Sequence, residues 1–183
     1  MGALTARTMP TEIRTSRLLL RRPVPGDADA VNAIEGDPRT ARFRPDGPMD
    51  RGRSDAYLAA HLADWEDDGL GYWMVEAGGA LVGFTGQRRL DVPTDLLPGV
   101  EPEGLLNTYW RFSPAVWGAG VPTEAVRAAL AATLEAGVER PVVAITTPDN
   151  TPSRRMAERV GMRLHREVAR AWGAPSVEYR LPA

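Results

Sequence analysis

The sequence predicts an α+β fold of mixed α/β character in a single domain. Its 183 residues are enough for one sizeable core and short for two. Apolar periodicities and turn signals give the order β-α-α-β-β-β-α-β-α-β-β, in which helices and strands interleave only in the second half. No repeat, internal linker or low-complexity tract divides the chain. We expect residues 1–14 to be a loose leader and residues 15–183 to be the domain.

The predicted elements follow from local signals. They are, in order, a strand over 17–22, helices over 27–35 and 50–68, strands over 72–77, 80–90 and 105–112, a helix over 121–136, a strand over 142–145, a helix over 151–160, and strands over 162–171 and 176–181. Pro23 and Pro25 stop the first strand because proline cannot donate a ladder hydrogen bond. Asp27 is expected to cap the first helix.

Later elements are bounded mainly by glycine. Gly78-Gly79 between two strand-like runs predicts a hairpin. Residues 91–104 are rich in proline, glycine and acids, which indicates a long loop or flap. The apolar run over 142–145 is typical of a strand buried on both faces, and Gly161 suits a left-handed helix C-cap.

Composition excludes several classes of function. The net charge is −2, so there is no basic excess to neutralise a nucleic-acid backbone, and nucleic acid is not expected as a partner. The chain has no Cys, which excludes disulfides and thiolate catalysis. Its two His, His61 and His165, lie far apart, so no metal site is predicted. No apolar run reaches the roughly 20 residues of a membrane span, and 1–10 lacks a signal-peptide pattern; a cytoplasmic, membrane-free protein is expected.

The turn from Ser113 to Gly120 joins a predicted strand to a predicted helix. A helix N-terminus presents unpaired N–H groups and attracts anions. Gly118 and Gly120 allow close backbone approach, and Thr123 adds a hydroxyl in the first turn. These residues are equally consistent with a phosphate loop and with a plain turn. A dinucleotide fingerprint would need a third Gly near position 123, and the Gly-Lys-Ser/Thr of a P-loop is absent.

A second segment, Asn150-Thr151-Pro152-Ser153, opens the helix after the buried strand. Asn150 is a good N-cap, and Pro152 is tolerated in a first turn. Capping alone explains Asn150, and Ser153 is equally consistent with a surface hydroxyl.

Together the two segments resemble the GCN5-related N-acetyltransferase (GNAT) superfamily, within it the branch that includes the ribosomal-protein N-terminal alanine acetyltransferases. The resemblance spans nearly the whole chain. It is carried by Thr15-Ser16-Arg17-Leu18-Leu19-Leu20-Arg21, Asp27-Ala28, Leu81-Val82-Gly83-Phe84, Trp117-Gly118-Ala119-Gly120-Val121-Pro122-Thr123-Glu124-Ala125, Asn150-Thr151-Pro152-Ser153 and Glu158-Arg159-Val160-Gly161-Met162.

The resemblance implies a mixed, mostly antiparallel sheet flanked by helices. In such a sheet two parallel strands, here Leu105–Phe112 and Val142–Thr146, splay apart, and acetyl-CoA lies in the cleft. Backbone N–H groups of the phosphate motif would hold the pyrophosphate, and the strand edge and Asn150 would bind the pantetheine. The cofactor-binding residues so implied are Phe112, Trp117, Gly118, Ala119, Gly120, Val121, Thr123, Asn150 and Ser153.

The chain departs from the family pattern at three positions. Trp117 replaces Gln/Arg, as it does in this branch. Pro122 replaces Gly/Ala and lacks an N–H, so one phosphate donor is missing and Thr123 is the candidate substitute. Ala157 stands where many relatives carry a Tyr that protonates the departing thiolate. The resemblance therefore assigns the role of catalytic acid to Ser153.

The catalytic base is less defined by the sequence. Asn107 falls where relatives often carry Glu, and Asn is not a base. Among nearby acids, Glu103 is the candidate base, although such an acid is more often a solvated surface charge. His61 and His165 are expected to be structural.

The implied reaction is direct transfer of an acetyl group to the primary amine of a small molecule or a protein N-terminus. The acidic flap 91–104 would attract a cationic amine and the basic stretch Arg39, Arg42 and Arg44 an anion, so the acceptor is left open. A non-catalytic CoA-binding or acyl-CoA-sensing domain is the alternative, and a generic nucleotide-binding module a distant third. Homodimers are common in the family, and the sequence does not decide whether one forms here.

Overall fold

The computed structural model describes residues 9–67, 69–90, 104–138, 140–171 and 173–182, and each predicted helix and strand has a counterpart among them. Most element bounds differ from the predicted ones by one or two residues. The strands are β1 (Glu12–Arg14), β2 (Leu18–Arg21), β3 (Gly71–Ala77), β4 (Ala80–Arg89), β5 (Leu106–Phe112), β6 (Val142–Thr146), β7 (Arg163–Ala171) and β8 (Ala174–Arg180), and the α-helices are α1 (Ala28–Glu35), α2 (Arg51–Asp67), α3 (Val121–Glu135) and α4 (Thr151–Arg159).

One mixed sheet of eight strands in the order β1-β2-β3-β4-β5-β6-β8-β7 organises the described residues. Neighbouring strands run antiparallel except β5 and β6, which are parallel. The α+β fold class and the mostly antiparallel mixed sheet are therefore confirmed.

Helices cover both faces of this sheet because strand side chains alternate in direction. On one face α3 and α4 pack on β2, β3, β5, β6 and β8, with buried residues such as Val126, Leu20 and Leu106. On the other face α1 and α2 pack on β3 and β4, where Ile34 and Phe84 share a smaller apolar cluster. We call these the α3/α4 face and the α1/α2 face.

Part of the predicted leader is ordered, which corrects the expectation for residues 9–14. Glu12–Arg14 forms β1, which pairs antiparallel with β2, and Met9 is buried in the main core. The strand is short and at most half-buried, so it has no apolar alternation to predict it. Residues 1–8 lie outside the described part of the chain.

Turn and cap predictions divide into confirmed and wrong ones. The β3–β4 hairpin turns at Gly78 and Gly79 (φ 58° and 80°), and Gly161 is left-handed after α4 (φ 94°). Asp27, in contrast, does not cap α1. Its carboxylate instead accepts hydrogen bonds from the Arg21 guanidinium (2.7 and 2.9 Å) and the Val24 N–H (2.8 Å), because strand β2 brings Arg21 beside it.

No helix among the described residues combines the length and apolarity needed to cross a bilayer. The predicted flap 91–104 lies outside the described residues except for Gly104.

Candidate functional site

A gap opens between the two parallel strands. β5 and β6 are in register at Leu106↔Val142 and Asn107↔Val143, and within the described chain no further pair joins them. Beyond Asn107, β5 continues to Phe112 while β6 pairs with β8 on its other side. The two strands thus separate after a short parallel contact, as the resemblance implies.

The edge of β5 that lines this gap carries unpaired backbone donors. The Leu106 N–H donates to Pro141 O on the β6 side (2.9 Å), and the Ser113 N–H donates to Val82 O on the β4 side (2.8 Å). Because strand N–H groups alternate in direction, those of Thr108, Trp110 and Phe112 face the β6 side; Thr108 lies next to the last paired position, and the N–H groups of Trp110 and Phe112 point into the gap. An extended chain with its own amide groups can therefore pair with β5 as an additional strand would.

The Phe112 carbonyl is already occupied at the end of this edge. The Trp117 indole N–H donates to it (2.9 Å), and half of the Trp117 side chain is exposed. Trp117 thus holds the start of the loop between β5 and α3 against the end of β5, a role that its position in the motif alone does not reveal.

The loop between β5 and α3 has the geometry of an anion site. Gly118 and Gly120 are left-handed (φ 75° and 77°), and Gly120 begins α3 without a side-chain cap. Among the described residues, no hydrogen bond satisfies the N–H groups of Gly118, Gly120, Val121 or Thr123. Unsatisfied donors at a helix N-terminus are a favourable environment for a phosphate group.

An ion pair beside α3 supports this loop. Arg17 donates from Nη2 to the Ala119 carbonyl (3.0 Å) and from Nε to Glu124 (2.7 Å). A hydrogen bond from Thr15 (2.6 Å), together with the Arg17 guanidinium, lowers the pKa of Glu124. Local sequence does not reveal this role of Arg17, because its partners lie more than 100 residues away along the chain.

The start of α4 forms the other wall of the gap. Asn150 caps the helix, its Oδ1 accepting the Ser153 N–H (3.2 Å), which leaves the Asn150 amide N–H₂ available to a ligand. The Ser153 hydroxyl accepts a hydrogen bond from the Trp110 indole N–H (3.1 Å), which crosses from β5 to α4. Thr123 also contacts this helix, through Met156 Sδ at 3.6 Å.

Of the other positions considered for catalysis, Asn107 and Ala157 lie in the described part of the chain. Asn107 lies opposite Val143 in the short parallel contact between β5 and β6, and Asn is not a base. Ala157 is 1% exposed and belongs to the main core, so no side chain at this position supplies an acid to the gap. Glu103, the candidate base, lies outside the described residues.

The α1/α2 face of β5 carries a cluster of buried charges. Glu35 is completely buried and bonds to Arg44. Its second oxygen lies 3.2 Å from Arg111 Nε, whose hydrogen is donated to the Tyr109 hydroxyl at 2.7 Å, so this second contact is electrostatic. Arg111 also donates to the Thr40 carbonyl (2.7 Å) and so holds the chain that follows α1.

His61 is a packed residue on this face, in agreement with the sequence analysis. It is 1% exposed, and its ring lies 4.1 Å from that of Tyr57 and 4.6 Å from that of Tyr72. Burial lowers the pKa of His61, and Asp64 at 3.6 Å from Nδ1 is too far for a hydrogen bond. His165 is exposed at an irregularity in β7. Among the described residues no group of three or more His, Asp or Glu side chains converges on a metal-sized site.

Comparison with known proteins identifies the class. The sequence model of the acetyltransferase (GNAT) domain family matches residues 17–163. This chain therefore belongs to the GNAT acetyltransferase family.

Solved structures with the same fold cover nearly the whole chain. An acetyltransferase from Agrobacterium tumefaciens shares 25% identity over 100% of both chains, with a TM-score of 0.78. RimL, a ribosomal alpha-N-protein acetyltransferase in complex with coenzyme A, shares 12% identity over 94% of this chain and 96% of its own, with a TM-score of 0.74. An aminoglycoside acetyltransferase in complex with coenzyme A shares 16% identity over 89% and 93%, with a TM-score of 0.73. The last two similarities show the fold alone.

Proposed function

We propose that this protein is an N-acetyltransferase that transfers the acetyl group of acetyl-CoA directly to a primary amine. The observation that carries the proposal is the set of unpaired backbone donors in two groups, one on the β5 edge at Trp110 and Phe112 and one from Gly118 to the α3 first turn at Thr123. Such a set suits a ligand with amide groups along an extended arm and phosphates at one end. The pantetheine and pyrophosphate of CoA have this arrangement.

In the proposed mechanism the amine nitrogen attacks the thioester carbonyl carbon and the C–S bond breaks. The carbonyl oxygen becomes negative in the transition state, and a β5 N–H in the gap stabilises it. The nitrogen loses one proton to a base or water relay, and the sulfur gains one. No covalent enzyme intermediate is needed, which agrees with a chain that has no Cys.

Ser153 is the proposed acid at the leaving sulfur. It stands at the first turn of α4, across the gap from the β5 donors. A hydroxyl is less acidic than a thiol, so its main contribution is a hydrogen bond to the sulfur as negative charge develops. Glu103 stays the proposed base, or the entry point of a water relay, on sequence grounds.

The acceptor is proposed as a class only. The names of the structural neighbours support both a protein N-terminus and a small-molecule amine. We propose to separate them by thiol release from acetyl-CoA with an alanyl tripeptide, a seryl tripeptide, an aminoglycoside and a diamine. Mass spectrometry of the product then distinguishes transfer to nitrogen from transfer to oxygen.

A non-catalytic CoA-binding or acyl-CoA-sensing domain is the second candidate. Asn107 and Ala157 favour it, because two common catalytic side chains have no equivalent at these positions. A sensor would bind acetyl-CoA without releasing thiol with any amine.

The first experiment is the thermal midpoint of the purified protein with acetyl-CoA, CoA, NAD or ATP. A ligand that binds only the native state increases the free energy of unfolding, by about 2.7 kcal/mol at a ligand concentration of 100 times its Kd. This stabilisation raises the thermal midpoint. We expect an increase with acetyl-CoA and CoA and none with NAD or ATP. No increase with either CoA species would refute both the enzyme and the sensor.

A further inference from the structure

We infer that Trp110 is a positioning residue for the Ser153 hydroxyl, an inference that rests on the proposed function. The Trp110 indole N–H donates to Ser153 Oγ across the gap at 3.1 Å. Trp110 lies on β5, whose N–H groups line one side of the gap, and Ser153 lies on α4, which forms the other side. The bond therefore joins the two walls between which the thioester would lie.

The chemistry of the indole fixes the direction of this hydrogen bond. An indole N–H can only donate, whereas a serine hydroxyl has one proton and two lone pairs. Ser153 Oγ must therefore be the acceptor, and its own proton is directed to another group. Within the described residues the Ser153 hydroxyl donates to no protein acceptor, so its proton is available to an acceptor in the gap.

Contacts on both sides of the gap restrict the conformation of Ser153. The Ser153 N–H is held by the Asn150 cap at 3.2 Å, which fixes the backbone at this turn. Trp110 is partly buried and packs against the main core, which holds the donor in place. A donated hydrogen bond also polarises the hydroxyl and strengthens the bond that its proton makes in turn. Trp110 thus prepares Ser153 to donate to the leaving sulfur.

The first test is a double-mutant cycle in kcat with Trp110→Phe and Ser153→Ala. The acetyl acceptor in this assay is the amine from the panel above that gives the fastest thiol release from acetyl-CoA. If no amine gives thiol release, the acetyl acceptor is water. Phe keeps an aromatic ring and removes the donor, so we expect kcat to fall about three- to tenfold, the value of one neutral hydrogen bond, with KM for acetyl-CoA within about twofold. Ser153→Ala should lower kcat by about 100-fold or more.

The decisive readout is the effect of Trp110→Phe in the Ser153→Ala background. A positioning residue has no further effect once the group that it positions is gone, so the double variant should match Ser153→Ala. If Trp110→Phe lowers kcat by the same factor in the wild type and in Ser153→Ala, the inference is overturned. An unchanged kcat in the Trp110→Phe single variant would also overturn it. A fully active Ser153→Ala would also overturn it, while binding of CoA and turnover by the wild type would leave the proposed function intact.

The control variant is Trp73→Phe. The Trp73 indole N–H donates to the Pro10 carbonyl, also at 3.1 Å. Removing this donor should leave kcat, expressed per folded protein, within about twofold of the wild-type value.

A second measurement does not depend on whether Trp110→Phe folds. The chain has five Trp, so a ¹⁵N-tryptophan sample gives five indole N–H signals. Ser153→Ala removes the hydrogen-bond acceptor of the Trp110 indole. We expect the chemical shift of one of the five indole N–H signals to move strongly towards the value of a solvent-exposed indole. Five unchanged signals would overturn the inference.

Discussion

The two faces of the sheet beside the separated strands are built from different groups. On the α3/α4 face the candidate site consists of backbone N–H groups around Gly118, Gly120 and Thr123, and its supporting ion pair, Arg17–Glu124, is partly exposed. On the α1/α2 face the polar groups are side chains, with Glu35 buried between Arg44 and Arg111. A backbone site binds an anion without burying a charge of its own. A buried ion cluster makes stability dependent on each member.

The largest difference between the faces should appear in stability. Glu35→Ala leaves Arg44 and Arg111, at 13% and 14% side-chain exposure, without their carboxylate. We expect the free energy of unfolding in urea to fall by about 3–5 kcal/mol, the cost of an uncompensated buried charge.

The matched control for this variant is Glu12→Ala, since Glu12 pairs with Arg14 at 45% and 69% side-chain exposure. It should change the free energy of unfolding by no more than about 1 kcal/mol. Equal losses in the two variants would show that the Glu35 cluster is no more important than a surface pair.

Gly120→Ala tests the backbone site. Gly120 has φ 77°, and a Cβ there would lie 3.1 Å from Arg17 Nη2, so we expect a loss of stability of about 1–2 kcal/mol. Reorientation of the adjacent N–H groups should also weaken CoA binding about tenfold or more, measured by calorimetry.

Gly79→Ala separates these two effects. Gly79 has φ 80° in the β3–β4 hairpin, with open space around its Cβ position. It should lose similar stability and keep the wild-type Kd for CoA. Equal changes in Kd for both variants would mean that the loop around Gly120 is not the phosphate site.

A smaller effect is expected from pH at a second buried carboxylate on the α1/α2 face of the sheet. Burial raises the pKa of Glu178, but hydrogen bonds from Arg180 Nε (2.6 Å) and Arg166 Nε (2.7 Å) outweigh it, and the net pKa is lowered. A carboxyl whose pKa is lower in the folded state contributes stability above its unfolded pKa of about 4.3. That contribution is lost as the pH falls through the folded pKa.

The wild type should therefore lose stability from about pH 5 downwards, and Glu178→Gln should be less stable at pH 7 with a shallower dependence below pH 5. Urea unfolding at several pH values measures both. The same slope in the two proteins would contradict a role for Glu178 in acid unfolding.

The smallest predicted effect concerns the donor that proline removes. Pro122→Ala restores an N–H in the first turn of α3, and we expect CoA to bind about two- to tenfold more tightly, with about 0.4–1 kcal/mol less stability. Pro25→Ala, at the first position of a 3₁₀ turn on the other side of the sheet, should leave CoA binding unchanged. Unchanged affinity in Pro122→Ala would mean that the position does not face the phosphates.

Much of the fold could be predicted because its signals are local. The hairpin at Gly78-Gly79, the buried β6 and the left-handed Gly161 each depend on the conformational preferences of a few consecutive residues. β1 was missed because a short, largely exposed strand has no such signal, and its position depends on pairing with β2. Asp27 was predicted as a cap because nothing local reveals its partner Arg21.

The candidate site divides in the same way. The turn glycines before α3 and the Asn150 cap were predicted from sequence, since the turn and the cap are both local backbone features. Tertiary structure decided the bond between Trp110 and Ser153, 43 residues apart, and the clamp of Arg17 on Glu124, 107 residues apart. The physical reason is that backbone preferences act within a few residues, whereas a contact between distant side chains forms only where packing of the sheet and helices places its two atoms within hydrogen-bonding distance.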